Sequence, residues 1–187
     1  MNKIIITIVV LSLNTLNQAY AQKKAPATKP VVQQNAKKEA KEIEKAKTWI
    51  THTVANTLNK ANGMAENTNE EAEGKHKPIY TARYMAYKDD AVEVGMDGGM
   101  TKKAFEKKWS KDFNCQYAGI GTGYLVSGSD YGFIEVTRCV FIKKIGDAYL
   151  FETVITDTEA KINYKRDIKV IPSGNSFLIA DVLEYNQ

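Results

Sequence analysis

An α+β fold is predicted by three features of the chain. Apolar residues recur at helical spacing as far as Phe113, β-branched and aromatic residues dominate from Asn114 onward, and short Gly-rich or polar turns interrupt the second half. Such short connections make neighbouring strands antiparallel, so N-terminal helices pack on an antiparallel meander. The 187 residues, 43% hydrophobic and 26% charged, suffice for one core. That composition excludes a disordered chain, the 12 Gly and 4 Pro exclude a collagen-like one, and no apolar run reaches the roughly 18 residues of a membrane span.

The first element is not part of the fold. Lys3 precedes the apolar run Ile4 to Leu13, and Ala19-Tyr20-Ala21 places small side chains where a signal peptidase needs them. Residues 1–21 therefore read as a secretory signal peptide cleaved before Gln22. The first Cys is Cys115, so no lipid anchor is expected, and the product is periplasmic or extracellular. Residues 22–47 hold eight Lys against three Glu, whereas the remainder of the mature chain holds 17 bases against 19 acids. The basic character thus belongs to a tail. Its Ala, Pro, Lys and Gln content over residues 22–35 buries too little to offset ordering entropy, which predicts a mobile tether. With no aromatic among these lysines, nucleic-acid binding is not expected.

Residues 36–187 form the single predicted domain. Ala36, Ala40, Ile43, Ile50, Val54 and Leu58 share one face of a long helix running to about Asn59, with Trp49 widening the stripe. Ala61 to Lys77 has no periodicity and reads as a mobile loop. Tyr80, Tyr84, Tyr87 and Ala91 then mark a second helix ending near Val94, followed by a break at Asp97-Gly98-Gly99. Thr101 suits the N-cap of a third helix, on which Phe105, Trp109 and Phe113 stand four apart. Five strands are predicted, at Gln116 to Val126, Gly132 to Lys144, Ala148 to Asp157, Lys161 to Ile171 and Ser176 to Glu184. The fourth alternates Ile162, Tyr164, Ile168 and Val170 against Lys161, Asn163, Lys165, Asp167 and Lys169, so its apolar face meets the helices.

Few motifs carry chemistry. Gly119, Gly121 and Gly123 precede a predicted strand continuation rather than a helix, which suits a bent strand and not a nucleotide loop. His52 and His76 lack ligand partners at metal spacing, and no cofactor or metal is expected. Cys115 and Cys139 are an even pair in an exported chain and lie 12 residues either side of Ser127. A hairpin turning there sets them opposite each other, which predicts a cross-strand disulfide, with two buried free thiols as the alternative.

Helices ahead of a long meander that closes on Ile179-Ala180-Asp181-Val182 resemble the nuclear transport factor 2-like superfamily over roughly Ala36 to Tyr185. The terminal strand is similar to the closing strand of many secreted bacterial members of unknown function. The resemblance implies a cone-shaped, cystatin-like α+β fold in which a curved sheet wraps helices around a pocket. Isomerases, dehydratases, immunity proteins and noncatalytic binding domains all use this fold, so it does not choose an activity.

Polar groups on apolar strand faces are the pocket candidates. Arg166 falls with Tyr164 and Ile168, and Asp181 with Phe177, Ile179 and Leu183. Both are expected to point inward and to form an ion pair with each other. Arg138, on the Val136 and Val140 face, is a third candidate. With no nucleophile, acid and base set in the chain, the function expected is a noncatalytic binding or interaction domain for a small ligand or partner segment. The alternatives are an isomerase or dehydratase with Asp181 as general base and Tyr164 as oxyanion donor, and an immunity or inhibitor protein.

Overall fold

A computed structural model of the protein describes residues 29–64 and 78–185. The expected signal peptide, residues 22–28 of the expected tail, and residues 65–77 of the expected mobile loop, His76 among them, lie outside them. Among the described residues the order is helix α1 (Lys29–Ala61), helix α2 (Ala82–Glu93), helix α3 (Lys102–Trp109), a single 3-10 turn (Cys115–Tyr117) and strands β1 (Ile134–Ile145), β2 (Ala148–Asp157), β3 (Ile162–Ser173) and β4 (Ser176–Glu184). The strands form one antiparallel sheet in sequence order, open at both edges. The fold is α+β, and no described helix is long and apolar enough to cross a membrane.

At 33 residues and 1.5 Å per residue, α1 is about 50 Å long. Its start lies before Ala36, taking in Lys29 to Asn35 of the expected tail, because Lys29, Gln33 and Gln34 favour helix and Pro30 is tolerated in the first turn. The buried stripe is shorter than the periodic one. Ala46, Ile50, Val54 and Leu58 are buried against the sheet, whereas Ala36 and Ala40 are exposed, so the N-terminal part of α1 projects past the core. Near its other end Asn59 fixes β1: its amide Nδ2 donates to the Ile134 carbonyl at 2.9 Å and its Oδ1 accepts the Ile134 N–H at 2.7 Å. A buried Asn in this position supplies both partners that a strand's first residue would otherwise lack.

Thr81 caps α2 by accepting the Tyr84 N–H, and Thr101 caps α3 by accepting the Ala104 N–H, as its sequence position predicts. Tyr80 is not helical. It bridges to Ile179 of β4, with Thr81 N–H bonded to the Ile179 carbonyl at 2.8 Å, which ties the entry of α2 to that edge strand. Tyr84, Tyr87, Phe105, Trp109 and Phe113 form one aromatic cluster, with the Tyr87 and Phe113 rings stacked at 4.0 Å. Such packing joins α2 to α3 with a few short contacts of large area.

The predicted strand Gln116 to Val126 does not form. Gly119 and Gly121 have φ of +60° and +71°, which reverses the backbone within a few residues. Ala118, Leu125 and Val126 are still buried, but as part of the core cluster from a coiled segment rather than as a strand face. The tyrosines and aliphatics that gave this segment its β character satisfy burial without a ladder.

Bulges decide the faces of the remaining strands. The β1–β2 register shifts between Val136 and Arg138, and again between Phe141 and Lys143. The β3–β4 register shifts after Lys169, with Asp181 opposite Lys169 and Ile179 opposite Val170. Ala180 is the extra residue. Each bulge inverts the alternation beyond it.

Candidate functional site

Lys88 falls on the same helical stripe as Tyr84 and Ala91, and α2 carries its side chain fully into the interior. A desolvated ammonium requires a partner for each of its three protons. Nζ donates to the Ala118 carbonyl at 2.9 Å, to the Gly119 carbonyl at 2.8 Å and to Glu184 Oε1. The reversal after Cys115 is what presents two consecutive carbonyls to one lysine. At Gly119 a Cβ would stand 2.1 Å from the Glu184 carboxylate, so glycine meets both the positive φ and the close approach.

Glu184 closes β4 and is buried beside Lys88. Its Oε2 accepts the Thr122 hydroxyl at 2.9 Å and faces Arg166 Nη2 at 3.4 Å. Arg166 stands opposite Glu184 in the β3–β4 register and is 2% exposed. It also donates Nε to the Leu125 carbonyl at 3.0 Å and Nη1 to the Lys165 carbonyl at 2.9 Å, and its guanidinium lies 5.6 Å from the Tyr164 ring centre. Burial lowers the pKa of both Lys88 and Arg166 from their ordinary values, with Glu184 opposing that effect in each. Two cations thus share one carboxylate in a poorly solvated wall.

The wall opens on a cleft of about 760 Å³ bounded by Lys102 and Glu106 of α3, Gln116, Thr122 and Ser127 of the coiled segment, and the Arg166–Glu184 pair. A neighbouring hollow of about 770 Å³ shares Glu106, Cys115 and Gln116 with it and is flanked by Lys103, Lys107 and Lys111.

The predicted site residues are distributed differently from their expected places. Arg166 and Tyr164 are buried together, as their shared strand face requires. Asp181 does not pair with Arg166. The bulge at Ala180 hands the position opposite Arg166 to Glu184 and sets Asp181 against Lys169, with Nζ to Oδ2 at 3.3 Å. Burial raises the Asp181 pKa, with Lys169 pulling it down. Arg138 is no part of the cleft: the bulge after Val136 turns it to the outer face, where Nε meets Glu152 Oε1 at 2.6 Å.

Cys115 and Cys139 are free thiols, which corrects the expected disulfide. The strand that would have set them opposite each other is absent. Cys115 lies in the 3-10 turn at the cleft, while Cys139 is buried on β1, and burial pushes its pKa to about 11. His52 is exposed on α1, and no group of His, Cys, Asp and Glu among the described residues fits a metal ion. Lys88 and Glu184 were absent from the sequence-based candidates. The available signal was the position of Lys88 on the tyrosine stripe; none marked Glu184, because a bulge has no sequence signature here. Comparison with family models, curated proteins and solved structures finds no match.

Proposed function

We propose that the protein is an exported, noncatalytic binding domain and that its ligand occupies the cleft over Arg166 and Glu184. The observation carrying this reading is the commitment of the buried ionisable groups. Lys88, Arg166 and Glu184 hold one another and the coiled segment, so none of the three is poised to move a proton. Burial and then Glu106 raise the Cys115 pKa, away from the thiolate that a nucleophile needs. Asp181 and Tyr164, the base and donor of the isomerase reading, are not among the residues lining the cleft. A concavity of several hundred Å³ with a few polar groups is typical of small-molecule sites. Helices placed ahead of an antiparallel meander support reading the chain as a divergent member of the nuclear transport factor 2-like superfamily.

A thermal-shift screen of small neutral and charged molecules tests the role, with Ser127→Trp as the variant that fills the cleft. Ser127 is exposed, so the substitution leaves the core intact. At least one compound class is expected to raise Tm in the wild type and not in Ser127→Trp, and to be recovered chemically unchanged. A screen without any shift, or shifts that persist in Ser127→Trp, would remove the cleft as the site; the latter favours an immunity or inhibitor protein acting through another surface. Conversion of the bound compound would establish an enzyme instead.

A further inference from the structure

We infer that the cleft takes a small organic anion, its carboxylate or phosphate group received between Arg166, Gln116 and Ser127. This rests on the binding role proposed above and specifies the chemistry of the ligand. The first support is charge. Lys88 and Arg166 face the single carboxylate of Glu184, leaving one positive charge uncompensated in a wall where all three side chains are almost fully buried. Lys102 and Glu106 on the rim offset each other and do not remove the excess. Asp181 lies nearby, but its charge is taken by Lys169. A buried cation without a counter-ion is costly, and an anion entering from the cleft relieves that cost.

Donor capacity is the second support. A guanidinium has five N–H groups. Arg166 commits Nε and Nη1 to carbonyls and Nη2 to Glu184, and each terminal nitrogen carries a second N–H. Planar donors on a fixed guanidinium suit a carboxylate or phosphate better than they suit a neutral group. Gln116 and Ser127 add an amide and a hydroxyl to the lining of the same cleft. The third support is the approach: Lys103, Lys107 and Lys111 outnumber Glu106 and Asp112 around the adjoining hollow, and a net positive lining raises the local concentration of anions. The volume of about 760 Å³ exceeds what an inorganic ion fills, which points to an organic molecule bearing the charge.

Binding of benzoate, citrate and inorganic phosphate, with benzamide as the neutral counterpart of benzoate, tests the inference. It is measured by calorimetry and thermal shift on the mature protein at constant ionic strength. At least one organic anion is expected to bind more tightly than phosphate, and benzoate more tightly than benzamide. Gln116→Glu and Ser127→Glu alter exposed positions and leave the buried trio in place. Each is expected to weaken the anion roughly tenfold or more, the scale of one added charge a few ångströms away at a protein's effective dielectric. Equal binding of benzoate and benzamide, both lost in Ser127→Trp, would overturn the anion preference while leaving the cleft as a binding site. Anion binding that survives Gln116→Glu and Ser127→Glu would place it on the α3 lysines and overturn the assignment. Absence of any anion binding overturns it directly.

Discussion

Gly119 concentrates the local requirements of the site in one residue. Its φ of +60° is disfavoured for any side chain, and its missing Cβ is the space into which Glu184 fits. Gly119→Ala therefore forces the carboxylate away from Lys88 as well as straining the backbone. Loss of one partner of a buried ion pair costs about 3 to 5 kcal/mol, and urea unfolding of Gly119→Ala is expected to fall within that range. A variant as stable as wild type would mean that Glu184 has room to move without leaving its partners. The glycines were legible as backbone punctuation, and the strand expected across them was not supported, because three closely spaced glycines outweigh the β preference of Tyr117, Ile120 and Tyr124.

Asp157 shows how a single carboxylate organises an element. It ends β2 and accepts the Ala160 N–H at 2.8 Å and the Glu159 N–H at 3.0 Å on Oδ1, and the Gly132 N–H at 2.8 Å on Oδ2. The turn into β3 and the entry to β1 are thus held by one side chain. The Ala160 and Gly132 amides lower its pKa below the ordinary aspartate value. A depressed folded-state pKa contributes stability that is complete above the unfolded value near pH 4 and lost as pH falls through the folded value. Asp157→Asn is expected to be less stable than wild type at neutral pH, with the two urea midpoints converging on acidification below about pH 4. A constant gap from pH 7 to pH 2 would show that the carboxylate's charge plays no part in these bonds. Thr81 and Thr101 as caps illustrate elements whose boundaries follow from short-range chemistry. Strand faces do not, since the bulges at Thr137 and Ala180 depend on the neighbouring strand.

At the level of the whole molecule, Lys88, Arg166 and Glu184 join α2, β3, β4 and the coiled segment, so their variants report on tertiary assembly. Glu184→Leu leaves two buried cations side by side and is expected to cost about 3 to 5 kcal/mol. Lys88→Met leaves the Arg166–Glu184 pair balanced but strips the Ala118 carbonyl of its donor, at about 1 to 3 kcal/mol, while the Gly119 carbonyl keeps the Thr122 N–H. Asp181→Ala, which removes the contact with Lys169 and the backbone bond at Val182 but leaves the freed lysine partly solvated, should cost less than Glu184→Leu. Combining Lys88→Met, Arg166→Met and Glu184→Leu should recover much of the Glu184→Leu loss, because no charge is then stranded. Denaturation midpoints that rank Asp181→Ala as the most damaging would restore the Arg166–Asp181 pairing and overturn the trio. Composition and periodicity, which depend on residues close in the chain, were enough for the α+β class, the Thr101 cap, the last four strands and the burial of Tyr164 and Arg166. The partner of Arg166, the fate of the cysteines and the burial of Lys88 were settled only by tertiary packing. Each turns on the register of a strand or the path of a loop, where one added residue exchanges inside for outside and leaves no local trace.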